Sequence, residues 1–188
     1  MVNEIIEPVS VYRDIKKEKI DGKIYLMATP SDEHRDVQGN LSMIFNNYFR
    51  QNKKRCVARF EAHLNMDINN YFEPDLMVFC YEHSRHIPLI VIEVLSKSTR
   101  GRDLGVKMEK YAQLGIKEYW IITWELLTVD IYLLGEGNKY ELYKSYAYFT
   151  VHDTEIKRKE DIEIITEFSP LSIPELNVKL EDVFYFVE

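Results

Sequence analysis

The segment PLIVIEVL at residues 88–95 constrains this chain more than any other. A short continuous run of aliphatic and β-branched residues predicts a strand at the centre of a sheet covered on both faces. One acid, Glu93, interrupts it. An ionised carboxylate in such a strand carries a large desolvation penalty unless it is paired. That leaves two readings: a structural ion pair or protonated, hydrogen-bonded acid, and a metal ligand near the C-terminal end of a sheet strand.

The rest of the chain supplies elements to surround that strand. Residues 11–28 read as two short strands joined at Asp21-Gly22, a favoured hairpin dipeptide. Ser31 is the expected N-cap of a helix over Asp32 to Gln51. Val37, Leu41, Ile44, Phe45, Tyr48 and Phe49 recur there at spacings of three and four and form one apolar face. Residues 55–68 predict a strand, with a turn at Asn69-Asn70, and 74–80 (PDLMVFC) another. A polar stretch, SKSTRGRD, follows the central strand, then a helix from about Asp103 to Leu114 closed by Gly115. Leu104, Met108, Tyr111 and Ala112 form its expected apolar stripe, with Lys107 at the shoulder. Strands are predicted at 118–124, 129–134 and 139–150; 155–167 is charged and ambiguous; LEDVFYFV near the end suits a short amphipathic helix or a strand. The order implies an α/β fold in which a mixed central sheet is flanked by helices, with additional N- and C-terminal strands, and residues 1–188 as a single domain.

A formal charge of −7 argues against broad non-specific nucleic-acid binding, which needs clustered Lys and Arg. It leaves room for a local basic patch and for an acidic site that awaits a cation. Cys56 and Cys80 show no metal spacing and read as small buried thiols of a reducing cytoplasm. MVNEIIEPVS lacks a basic region followed by an apolar run, and no apolar stretch reaches the roughly 18 residues of a membrane span. A cytoplasmic location is therefore expected.

Asp75 follows Pro74 at the start of the strand before Glu93. Alone, it is an Asp that begins a strand after a turn. If the two strands are adjacent and antiparallel, Asp75 and Glu93 meet at one edge of the sheet. Paired carboxylates raise one another's pKa, and a hard divalent cation, Mg²⁺ or Mn²⁺, relieves the repulsion. Lys107 is open to two readings: a solvated lysine paired with Asp103 at i,i+4, or an ammonium reaching over the sheet end toward developing phosphate charge. His34, in the first turn of its helix, either caps locally or reaches the acidic edge as ligand or proton donor. Glu33, Glu61 and Glu73 are further acids that the sequence does not rank. Lys97, Arg100 and Arg102 place three cations just after the Glu93 strand, a solvated loop or a contact for a nucleic-acid backbone.

The segments PDLMVF, LIVIEVLSKST and RDLGVKMEKYAQLGIKEYWII, with DGKIYLMATPSDEH before them and LSIPELNVKLEDVF after, resemble the bacterial Uma-type putative restriction endonuclease family. That family is placed in the PD-(D/E)XK nuclease superfamily. The resemblance implies a restriction-endonuclease-like core with its acidic site at one sheet edge. It places the superfamily's Asp at Asp75 and its second acid at Glu93. The usual lysine would fall at Leu95, and the resemblance moves its role to Lys107 on the following helix. His34 matches the family's His at the start of the first long helix. Lys97 stands where the family often carries Pro.

The function expected is a metal-dependent endonuclease acting on DNA, with Asp75 and Glu93 holding Mg²⁺ or Mn²⁺, and Lys107 and His34 completing the catalytic set. A non-catalytic nucleic-acid-binding or protein-interaction module that keeps the fold is the alternative. Tyr140, Tyr143, Tyr146, Tyr148 and Phe149 crowd one late segment and are open to ordinary sheet packing or to a homodimer surface.

Overall fold

Asp21 and Gly22 both adopt positive φ, 48° and 82°, which is the geometry a two-residue hairpin turn requires. The hairpin they close is the first element seen in the computed structural model, which describes residues 16–84, 86–150, 153, 155 and 164–187. Residues 11–15 of the expected hairpin, and most of the ambiguous 155–167 segment, lie outside the described residues.

In chain order the elements are β1 (Lys17–Ile20), β2 (Lys23–Leu26), α1 (Asp32–Gln51), β3 (Cys56–Phe60), β4 (Leu64–Asp67), β5 (Asn70–Phe72), β6 (Leu76–Cys80) and β7 (Ile90–Val94). There follow α2 (Arg100–Arg102), a π-turn (Asp103–Lys107), α3 (Met108–Gln113), β8 (Glu118–Thr123), a 3₁₀ turn (Trp124–Leu126), β9 (Thr128–Leu134) and β10 (Tyr140–Ala147). β11 (Glu167–Phe168), β12 (Val178–Lys179) and α4 (Leu180–Val183) complete the described chain.

The elements gather into two compact units. One takes the described residues up to Thr29 together with His63–Glu73, and holds a four-stranded sheet ordered β2-β1-β5-β4. Ile20, Leu64 and Phe72 fill its buried side, where Glu18 accepts the Glu73 N–H at 3.2 Å. The other takes Pro30–Ala62 and the residues from Pro74 onward. Its six-stranded sheet runs β10-β9-β8-β7-β6-β3. Among the described residues, only the β7–β8 pair of this sheet is parallel, as a crossover through α2, the π-turn and α3 demands.

Residues 55–68 form two strands rather than one. Glu61 turns the chain with φ 49°, so β3 joins the six-stranded sheet and β4 the four-stranded one. The cysteines are corrected too. The β3–β6 register sets Cys56 directly opposite Cys80, and the two form a disulfide. Free thiols therefore no longer argue for a reducing compartment. Among the described residues, no helix is long and apolar enough to cross a membrane.

Side chains alternate across β6 to β9. Leu76, Val78, Ile90, Ile92, Val94, Trp120 and Ile122 point to one face, where Val37, Leu41, Phe45 and Phe49 of α1 join them in the main core. Phe45 packs its ring 5.7 Å from Trp120. Leu176, Val178, Leu180 and Val183 close that core from the C-terminal segment, with α4 as the expected short helix. The opposite face receives the helical segment after β7, with Tyr111 edge-on to Tyr119 at 5.4 Å. Of the late aromatics, Tyr146 stacks on Phe168 at 4.4 Å and Tyr140 donates its hydroxyl to the Ile116 carbonyl at 2.7 Å, whereas Tyr143 is exposed.

Candidate functional site

β6 and β7 pair antiparallel, with Leu76 opposite Ile92 and Met77 opposite Val91. One position further, the same register sets Asp75 opposite Glu93, so both side chains leave the same face at the same end of the sheet. A direct contact fixes this: Asp75 Oδ2 accepts the Val94 N–H at 2.9 Å. Pro74, which has no N–H to donate, delivers the chain to that position. Asp75 is 6% exposed and Glu93 2%.

The start of α1 grips Asp75 from the other side. Ser31 caps the helix by accepting the His34 N–H at 3.3 Å. That places His34 in the first turn, buried, with Nε2 3.1 Å from Asp75 Oδ1. One turn on, Gln38 donates its side-chain amide to the Asp75 carbonyl at 2.6 Å. His34 is thus neither a local cap nor solvated.

Lys107 arrives from the helical segment on the Glu93 face. Its Nζ lies 2.7 Å from Glu93 Oε1 and 3.0 Å from Asp103 Oδ1, and the residue is fully buried. The pairing with Asp103 at i,i+4 is present, but no part of it is solvated. Tyr111, one turn further, donates its hydroxyl to Glu93 Oε1 at 2.8 Å. Position 95 carries no ammonium: Leu95 is buried and donates its N–H to the Ile122 carbonyl at 2.8 Å.

The expected stripe on this helix is displaced. Leu104 is 37% exposed, and Asp103, Lys107, Tyr111 and Ala112 are the buried residues. The cause is a kink at Gly105, which leaves the helical region at φ −120° and ψ −107° and joins two helical stretches within Asp103–Lys107. The helix also starts three residues before the expected Asp103. Ser96 and Thr99 exchange hydroxyl and N–H bonds in the turn that precedes α2, so Arg100 and Arg102 are helical rather than part of a loop. Lys97 and Arg100 remain exposed.

Burial and charge set the electrostatics. Burial raises the Asp103 carboxyl above its ordinary value; Lys107 and the Thr99 hydroxyl oppose that rise, and the nearby Asp75 charge adds to it. The Tyr119 phenol is pushed well above its ordinary value by burial and then by the charges of Glu93 and Asp103. Its hydroxyl donates to the Asp103 carbonyl at 2.9 Å. Three carboxylates, Asp75, Glu93 and Asp103, therefore share a poorly solvated space with the Lys107 ammonium.

Among the described residues, no group of three or more His, Cys, Asp or Glu is spaced to hold a metal ion. Two carboxylates in register still fit a hard cation that keeps several waters, the usual manner of Mg²⁺. The other acids have different surroundings. Glu33 accepts from the Ser31 hydroxyl, which lowers its pKa, and Glu61 is exposed. Glu73 belongs to the four-stranded unit, where its carboxylate lies 3.4 Å from His63 Nδ1. Tyr111 and Gln38 are contacts of the acidic pair that the sequence pattern does not reveal, and Asp103 is visible there only as the i,i+4 partner of Lys107. Asp103, Lys107 and Tyr111 share the i,i+4 spacing, whereas Gln38 is a polar residue on the buried side of α1 and leaves no hydrophobic signal.

Comparison with known proteins gives three findings. The model of the Uma2 family, described as "Putative restriction endonuclease", matches residues 5–158. The uncharacterized protein slr1290 of Synechocystis sp. is 29% identical over 125 residues, covering 62% of this chain. The chain spans 65% of the length of that relative. A crystal structure of a "putative nuclease belonging to DUF820" from Anabaena variabilis matches with a TM-score of 0.68 at 18% identity, over 92% of this chain and 91% of that one. At that identity the likeness speaks for the fold, a mixed sheet flanked by helices.

Proposed function

The chain belongs to the Uma2 family, and from that premise we propose that it is a divalent-metal-dependent endonuclease hydrolysing phosphodiester bonds in DNA. The observation that carries this reading is the 2.7 Å contact between Lys107 and Glu93. It returns to the acidic edge the ammonium that Leu95 does not supply.

Asp75 and Glu93 would hold the ion, Mg²⁺ or Mn²⁺. When bound, such an ion supplies a water of lowered pKa and charge for the scissile phosphate. Lys107 offers its ammonium to the charge that develops on that phosphate. His34 orients Asp75 through Nε2 and can hold a proton at that atom. Lys97 and Arg100, both exposed, would meet backbone phosphates outside the centre.

The test is cleavage of supercoiled plasmid, linear duplex and single-stranded DNA, with RNA as the contrast, in Mg²⁺, Mn²⁺ or EDTA. Metal-dependent cleavage of DNA that is lost in Asp75→Ala and Glu93→Ala, with both variants folded, supports the reading. Equal cleavage by parent and variants removes it. Leu95 favours a second reading, a nuclease-like module that binds nucleic acid without cutting it. Salt-sensitive DNA binding with no cleavage in either metal selects that one.

A further inference from the structure

Lys107 holds two carboxylates at once, and only one of them belongs to the proposed metal pair. Glu93 Oε1 lies at 2.7 Å and Asp103 Oδ1 at 3.0 Å from its ammonium. Both partners are fixed from behind. Tyr111 donates to Glu93 Oε1. Asp103 has the Thr99 hydroxyl on its carboxylate and the Tyr119 hydroxyl on its carbonyl. The adjustable member is Lys107, a compact charge on a flexible four-carbon stem. A lysine with one acid would form a fixed pair. A lysine bracketed by two can change its allegiance without leaving the buried stripe.

We propose that Lys107 stands in for a divalent cation at Glu93, and that Asp103 is the positioning residue that retains Lys107 when Asp75 and Glu93 bind the ion. This rests on reading Asp75 and Glu93 as a metal pair, and it does not depend on whether the protein cleaves DNA. An ammonium and a dication on the same carboxylate oxygen repel in this poorly solvated space. Asp103 gives the ammonium a place at the rim of the centre. No proton moves in the exchange: the charge on Glu93 is balanced first by Lys107 and then by the ion, while Asp103 balances Lys107.

The exchange predicts two effects of opposite sign. Lys107→Met removes the competitor for Glu93, so Mn²⁺ binds more tightly. Asp103→Asn removes the second partner, so Lys107 stays on Glu93 and Mn²⁺ binds more weakly. Coupling between interacting sites of this kind spans roughly 5–150-fold in affinity, and a change of about tenfold in each direction is expected.

The experiment is calorimetric titration of Mn²⁺ into the full chain, its Lys107→Met and Asp103→Asn variants, and Glu93→Gln as the control that should lose binding. Opposite shifts in the two variants support the exchange. Shifts of the same sign, no shift in either, or no Mn²⁺ binding to parent and both variants overturn it. Lys107→Met leaves two buried carboxylates without their cation and is the variant at risk of not folding. Asp103→Asn keeps one matched pair, so its sign alone then decides: unchanged or tighter binding overturns the proposal. A protein that cleaves no DNA but shows opposite shifts keeps the exchange and loses the nuclease reading. One that cleaves with no shifts keeps the nuclease reading and loses the exchange.

Discussion

The strands of the six-stranded sheet present two unlike faces. On one, Ile92, Trp120 and Ile122 meet Leu41, Phe45 and Phe49 of α1 in a core of apolar side chains. On the other, Glu93 and Tyr119 meet Asp103, Lys107 and Tyr111 in a network of hydrogen bonds and ion pairs. Both faces are buried, so exposure does not distinguish them. Their energetics do. Apolar packing contributes stability in proportion to the surface removed from water. Buried ion pairs nearly cancel against desolvation and are weak evidence for stability. Stability alone is therefore a weak reason for such a network, and the network surrounds the two carboxylates of the proposed metal pair.

If the faces divide labour in this way, substitutions should separate along the same line. The largest effect is expected on the apolar face. Phe45→Ala removes a fully buried ring between Phe49 and Trp120 and should lower unfolding free energy by about 3–5 kcal/mol, measured by denaturant titration. The folded fraction should keep its Mn²⁺ affinity; a lost affinity would show that the two faces are not independent. On the polar face, Glu93→Gln should abolish metal-dependent cleavage while lowering stability by only about 1–3 kcal/mol, because Lys107 keeps Asp103. Global unfolding of that variant at neutral pH would break the comparison.

Ser31→Ala probes the hinge between the faces, since Ser31 caps α1 and sets the turn that carries His34 to Asp75. A loss of about 1 kcal/mol is expected by thermal or denaturant melting, with a drop in cleavage larger than that loss of folded protein explains. Tyr119→Phe should have the smallest effect, about 0.5–1 kcal/mol at pH 8. Its value lies in the alkaline limb. The folded Tyr119 phenol is held well above its ordinary value of 10.0, so its contribution is full below pH 10 and is lost as pH rises above that value. The variant's stability should therefore fall less steeply above pH 10 than the parent's. Identical slopes would mean that Tyr119 ionises as readily in the folded protein as in the unfolded chain.

The apolar face was legible in the sequence and the polar face only in part. Spacings of three and four named the buried stripe of α1, and Ser31 marked its first turn. Glu93 inside PLIVIEVL and Asp75 after Pro74 announced themselves because an acid in or beside an apolar run breaks a pattern. Asp103 and Tyr111 broke no pattern. The kink at Gly105 interrupts the winding that helical periodicity assumes, and the sequence offered no measure of it. Long-range features were also hidden. The break at Glu61 and the facing of Cys56 and Cys80 depend on which sheet each strand joins. The resemblance implied Lys107 in place of the lysine missing at Leu95, but its contact with Glu93 is visible only in the fold.

The proposed metal pair is tested most directly by anomalous diffraction from crystals of the full chain soaked in Mn²⁺. The two-carboxylate reading predicts one peak within about 2.0–2.6 Å of oxygens from both Asp75 and Glu93, the range for hard-cation ligands, with Lys107 moved off Glu93 and kept by Asp103. A saturated soak with no peak between those carboxylates, and Lys107 still in contact with Glu93, would contradict it.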